Sequence, residues 1–95
     1  MVVGVLKLKL RIPENHSLKG KRGVLKRIQA RAANLFNISI TECDDQDLWQ
    51  SAVFGFAVAG TSQPVVEATL NRVADFVEAL GLVQLGHAEV ECFHC

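Results

Sequence analysis

Residues 2–12 alternate so regularly that one backbone conformation accommodates them. Gly4, Leu6, Leu8, Leu10 and Ile12 fall on one side, and Val3, Val5, Lys7, Lys9 and Arg11 on the other. This period of two marks a strand with one face in a core and the other at least partly wet. A half-wet strand needs further strands beside it and a second layer on its apolar side. The rest of the chain supplies both. Pro13 to His16 read as a turn, and Ser17 as the N-cap of a helix running to about Leu35. Leu18, Val24, Leu25, Ile28, Ala32 and Leu35 form its apolar stripe. Gly20 and Gly23 weaken its first turns by about 1 kcal/mol each relative to alanine.

A second strand is expected from Ile38 to about Cys43, followed by a polar turn at Asp44-Asp45-Gln46-Asp47 and a third strand from about Trp49 to Ala59. Gly60, Thr61 and Ser62 break that strand, and Pro64 opens a second helix with Val66, Leu70, Val73, Val77 and Leu80 in register, ending at Gly81. A last strand spans about Val83 to Phe93. The order β-α-β-β-α-β, with right-handed crossovers, predicts an α+β ferredoxin-like sandwich over residues 1–95, its antiparallel sheet ordered 4-1-3-2 and both helices on one face. The end of strand one, the start of helix one and the start of strand three then share one edge. His16 to Arg22 should lie beside Asp44 to Trp49, and Cys92 to Cys95 at the opposite edge.

Charge is divided along the chain although it sums to zero. Nine basic residues and one acid precede residue 42, a balance of +8, and the remainder carries −8. Such asymmetry points to an anionic partner, unless the two halves neutralise each other on folding. The helix start carries His16, Ser17, Lys19, Lys21 and Arg22 around unpaired amides that favour an anion. At 100° per residue Lys19, Arg22 and Lys26 fall within about 60°, while Arg27 and Arg31 form a second row. Phosphates are the expected ligand, bound in a salt-sensitive manner with little sequence preference. The structural alternative has Asp44 or Asp47 filling the anion site. Lys21 projects into the apolar stripe between Leu18 and Leu25, so it must snorkel or meet a carboxylate, Asp47 being the preferred partner. Lys7, Lys9 and Arg11 add a stripe on the open sheet face, with His87, Glu89 and Glu91 expected beside it and Lys7 opposite Glu89. RNA-recognition domains of this fold stack bases on sheet aromatics. Here Val3 and Val5 are aliphatic, and Phe54 and Phe56 are expected beneath the helices. Trp49 reads as a lid on the core, the competing reading being an exposed anchor for a partner.

Three segments have a further significance: His16-Ser17-Leu18-Lys19-x-Lys21-Arg22, Phe36-Asn37-Ile38-Ser39 and Asp44-x-Gln46-Asp47-Leu48-Trp49-Gln50. In order and spacing they resemble the small bacterial YlxP-like family, over nearly the whole chain and with differences at Gly20 and Asp45. The resemblance implies a ferredoxin-like fold without an established activity. It also implies an RNA-related role by association, because genes of that family often neighbour translation and ribosome-maturation factors.

Catalysis finds little support. No nucleophile with a neighbouring base, no P-loop and no dinucleotide fingerprint is present, and no cleft-forming second layer is expected in so short a chain. No enzyme activity, cofactor or small-molecule substrate is expected. Glu42, Asp44, Asp45 and Asp47 lack the glycine and distal glutamate of a calcium loop. Cys92, His94 and Cys95 supply half a zinc site at most, with Cys43 on the far edge strand. Three cysteines without framework spacing, no secretory signal and no apolar run of membrane-crossing length predict a reduced cytoplasmic protein. The function expected is RNA binding through helix one, and the alternative a homodimeric interaction module burying the open sheet face or an edge strand.

Overall fold

The computed structural model describes residues 1–45 and 48–95. Its elements follow the expected order: β1 (Val2–Arg11), α1 (Leu18–Leu35), β2 (Ser39–Asp44), β3 (Ser51–Gly60), α2 (Gln63–Ala79) and β4 (Gln84–His94). The four strands form one antiparallel sheet ordered β2-β3-β1-β4, the predicted ferredoxin-like order read from the other edge. β1 pairs with β3 from Val2↔Gly60 to Arg11↔Ser51 and with β4 from Val2↔His94 to Arg11↔Gln84, with a register shift at Lys9/Leu10.

The alternation in β1 decides where the core lies. Leu6, Leu8 and Leu10 are buried, and across β3 so are Ala52, Phe54 and Phe56. Leu25 and Ile28 of α1 and Val66, Leu70, Val73 and Val77 of α2 close over them. Each such apolar side chain contributes about 1.5–3 kcal/mol on burial. Phe54 and Phe56 pack edge to face beneath the helices, ring centroids 5.9 Å apart. α2 approaches β1 closely at Gly4, where an added Cβ would lie 2.3 Å from Val66 Cγ1 and 2.8 Å from Leu70 Cδ1. Glycine is the residue that permits this contact.

Local signals set the helix ends. Ser17 Oγ accepts from the Gly20 amide at 3.0 Å, capping α1. Pro64 sits in the first turn of α2, and Gly81 follows its end at φ 69°, a left-handed conformation that ends a helix readily when no Cβ is present. Two expectations change. Leu35 is exposed rather than part of the α1 stripe, because α1 stops there and Phe36 turns in to meet Phe76 edge-on at 5.7 Å. β3 begins at Ser51, not Trp49, since residues 48–50 direct their carbonyls to partners outside the β2–β3 ladder.

Candidate nucleic-acid interface

The edge predicted to join β1, α1 and β3 is tied together by polar side chains. Lys21 is the centre of this network. It occupies a position in the buried stripe of α1 together with Leu25 and Ile28, and it is only 2% exposed. Its ammonium donates to the carbonyls of Asp45 (2.6 Å) and Leu48 (2.8 Å) and lies 3.2 Å from Glu42 Oε2. The stem is packed as an apolar chain, while the head gathers the β2–β3 connection beneath it. The described partner is thus Glu42, whereas Asp47, the partner anticipated from the sequence, lies outside the described residues. Lys21 is also removed from the proposed phosphate-binding set. Its charge is buried and already satisfied, so it is unavailable to an external anion.

Around this centre the backbone is held from several directions. Asn15 Nδ2 donates to the carbonyls of Ser17 and Trp49, and Gln50 Nε2 donates to Asn15 O at 3.1 Å. Ile12 N donates to Gln50 O at 3.0 Å. Asp45 adopts φ 60°, which a short polar side chain tolerates better than most. Its amide donates to Asp44 Oδ1 at 2.9 Å. Its own carboxylate accepts from Ser51 Oγ at 2.7 Å and lies 3.6 Å from Lys9 Nζ. Asp44 therefore stabilises the loop corner and does not fill the anion position at the start of α1.

Trp49 is not the expected lid. It is 54% exposed, with Leu48 at 52%. The loop that carries them is anchored by its carbonyls, which turns the side chains away from the core. Together with Lys9, Arg11, Gln50 and Ser51 they line an open groove of about 780 Å³ at the end of the uncovered sheet face.

The other cationic residues of α1 remain on the surface. Lys19, Arg22, Lys26, Arg27 and Arg31 are all exposed. Among the described residues none has a carboxylate within 4.0 Å. His16 is exposed immediately before the helix, while Ser17 Oγ is committed to its cap. On the open sheet face Lys7, Lys9 and Arg11 are exposed, and Lys7 stands opposite Glu89 in register. The Glu89 carboxylate turns instead to His87 at 3.1 Å, and among the described residues the anion contact of the stripe is Lys9 to Asp45. Val3 and Val5 continue that face, half-buried, toward Phe93, which is 49% exposed.

At the far edge the cysteines and His94 are separately engaged. Cys92 Sγ lies 3.9 Å from Glu67 Oε1, His94 Nε2 lies 2.7 Å from Gln63 Oε1, and the Cys95 amide donates to Met1 O. Among the described residues no three His, Cys, Asp or Glu side chains converge as metal ligands. No described helix is long and apolar enough to cross a membrane.

Of the features that sequence reasoning missed, Glu42 carried a readable signal. It shares strand parity with Ile38 and Ile40, so it points under α1, where Lys21 points down. Asn15 carried none, since its role depends on a loop distant in the chain.

Several known proteins are similar to this chain. The chain is 37% identical over 92 residues to the uncharacterized protein YlxP of Bacillus subtilis (strain 168), covering 97% of this chain and all of that one. The de novo designed protein Foldit4 shares the fold at TM-score 0.55 and 14% identity, covering 100% of this chain and 99% of its own. SnoaB, a cofactor-independent oxygenase from Streptomyces nogalater, aligns at TM-score 0.49 and 15% identity over 99% of this chain and 92% of its own. The family described as "Protein of unknown function (DUF503)" matches residues 3–90, and the chain belongs to that family.

Proposed function

We propose that this protein is a non-catalytic RNA-binding accessory domain whose α1 surface engages the phosphate backbone. The observation that carries the reading is the two exposed rows of α1, Lys19, Arg22 and Lys26 with Arg27 and Arg31, without a described carboxylate within 4.0 Å. Five exposed cations on one helix, none paired with a carboxylate among the described residues, present a charge density that polyanions match well. His16 stands at the start of that helix, and the Lys7-Lys9-Arg11 stripe lies on the opposite, uncovered face of the sheet. The resemblance to the YlxP-like family adds translation or ribosome maturation as the setting, by association alone.

Gel shift of a ribosomal RNA fragment at two salt concentrations tests the reading. Three phosphate contacts would weaken binding by roughly 40-fold between about 50 and about 200 mM salt. The double substitution Lys19→Ala with Arg22→Ala should weaken binding further and flatten the salt slope. Absent binding at low salt, or binding unmoved by that pair, refutes the proposal.

A second reading is favoured by a different surface. The open sheet face shows Val3, Val5, Ala57 and Ala59 beside the exposed Phe93, an apolar area that a second copy would cover. Light scattering across a salt titration checks it, and a strict monomer removes it.

A further inference from the structure

We infer that the groove beneath Trp49 is a stacking site for one unpaired RNA base, with the adjoining phosphate held by Arg11. This inference rests on the RNA-binding reading and adds a second contact of a different kind. Covering the half-exposed indole would be strongly favourable, because aromatic rings carry a large hydrophobic surface. Here the backbone is fixed. Carbonyls of Leu48, Trp49 and Gln50 each accept a hydrogen bond, from Lys21 Nζ, Asn15 Nδ2 and Ile12 N respectively. The indole is thus presented by a preorganised platform, and a ligand stacking on it would order little protein on binding.

The surroundings specify the ligand chemistry. The groove has one aromatic face, the aliphatic Leu48 beside it, and two cations at its border. Arg11 has no described carboxylate within 4.0 Å, and Asp45 directs its carboxylate to Ser51 and Lys9. That carboxylate is therefore already engaged. A planar aromatic ligand with an attached phosphate satisfies all of these groups together, as bases and backbone do on single-strand-binding proteins. The volume of about 780 Å³ accommodates a nucleotide, and the openness of the site suits a chain that enters and leaves. A protein anchor residue would instead require a surrounding rim to exclude water.

Position reinforces this assignment. Asn15 bonds the carbonyls of both Ser17 and Trp49, so Trp49 stands where the sheet stripe meets the start of α1. An RNA strand crossing this edge would find Arg11 and Lys9 on one side, His16 and Lys19 on the other, and the indole between them. Recognition would therefore differ from that of RNA-recognition domains, whose stacking aromatics lie on the central strands. Here the corresponding phenylalanines are consumed by the core.

Trp49 is the sole tryptophan, so its emission reports this site alone. The full chain is titrated with single-stranded oligoadenylate of about 8 nucleotides and with an RNA duplex of about 16 base pairs. Labelled-RNA anisotropy and tryptophan emission are followed together. Oligoadenylate should quench the emission, and Trp49→Ala should weaken its binding roughly 5- to 150-fold while leaving duplex binding nearly unchanged. Trp49→Phe should restore much of the loss, and Arg11→Ala should reduce the salt slope of oligoadenylate binding. Bound RNA with unchanged emission, and wild-type affinity in Trp49→Ala, overturns the stacking site while leaving the α1 reading intact. Quenching by polyglutamate equal to that by oligoadenylate overturns it in favour of an acidic protein segment. Failure of both RNAs to bind at low salt removes this inference and the α1 reading together.

Discussion

Replacing Lys21 by methionine tests how the β2–β3 connection is held. Methionine matches the aliphatic stem, so packing in the α1 stripe changes little, and the loss is confined to the ammonium. That group serves two carbonyls at 2.6 and 2.8 Å and lies 3.2 Å from Glu42 Oε2. Removing one partner of a buried pair costs about 3–5 kcal/mol, because the other charge is left without compensation. The Glu42 oxygen that faces Lys21 is buried although the side chain as a whole is 27% exposed, so the expected loss is at least about 3 kcal/mol. In a domain of this size each kcal/mol moves the midpoint by about 4–8 °C, so Lys21→Met should melt roughly 12–24 °C below wild type. Thermal denaturation followed by far-UV circular dichroism gives that shift. Trp49 emission should change in the same variant at temperatures where the fold persists, since Leu48 O loses its donor. The double variant Lys21→Met with Glu42→Leu should recover part of the loss, because no lone carboxylate remains. A melting point within about 4 °C of wild type for Lys21→Met, equivalent to about 1 kcal/mol or less, would refute the argument. So would additive effects in the double variant.

Three further outcomes follow from other parts of the fold. Gly4→Ala should cost about 1–3 kcal/mol in urea denaturation, because its Cβ would overlap the buried Val66 and Leu70 side chains; wild-type stability would show that α2 can move away freely. Asn15→Ala should lower stability by about 1–2 kcal/mol through loss of its side-chain bonds to Ser17 O and Trp49 O, with increased amide exchange around residues 48–50; unaltered exchange there contradicts its clamping role. Partial burial, and then the Glu67 carboxylate beside it, push the Cys92 thiol above its ordinary value. Less thiolate is then present at neutral pH, so iodoacetamide should modify the exposed Cys43 and Cys95 first. Glu67→Gln should speed the Cys92 reaction. Mass spectrometry of timed samples gives the order, and Cys92 reacting first would contradict it.

Much of the architecture was legible because its signals are local. The alternation of Leu6, Leu8 and Leu10 and the helical spacing of Val66, Leu70, Val73 and Val77 each report a face without reference to the rest of the chain. Antiparallel order followed from the succession of elements and the handedness of their connections. Leu35 misled because spacing does not reveal where a helix stops. The pairing of Lys21 with Glu42 was half legible: each residue interrupts an apolar face, which marks both as buried charges needing partners. The nearby Asp47 drew attention away from the β2 residue whose parity points under the helix. Trp49 was misread for a related reason. Its apolar character argued for burial, yet the carbonyls of its own segment are claimed by Lys21, Asn15 and Ile12, and those bonds decide where the ring can go.

The order of residues alone determined the elements, their sequence along the chain, the antiparallel sheet and the concentration of positive charge in the first third, since all of these depend on periodicity, turn chemistry and composition. Tertiary structure decided which cations face water and which is buried, where Trp49 points, and which carboxylate meets the buried ammonium. Those outcomes depend on residues 21 to 27 positions apart competing for the same donor. Such competition is resolved by distance in the folded chain, a quantity that no local pattern of residues contains.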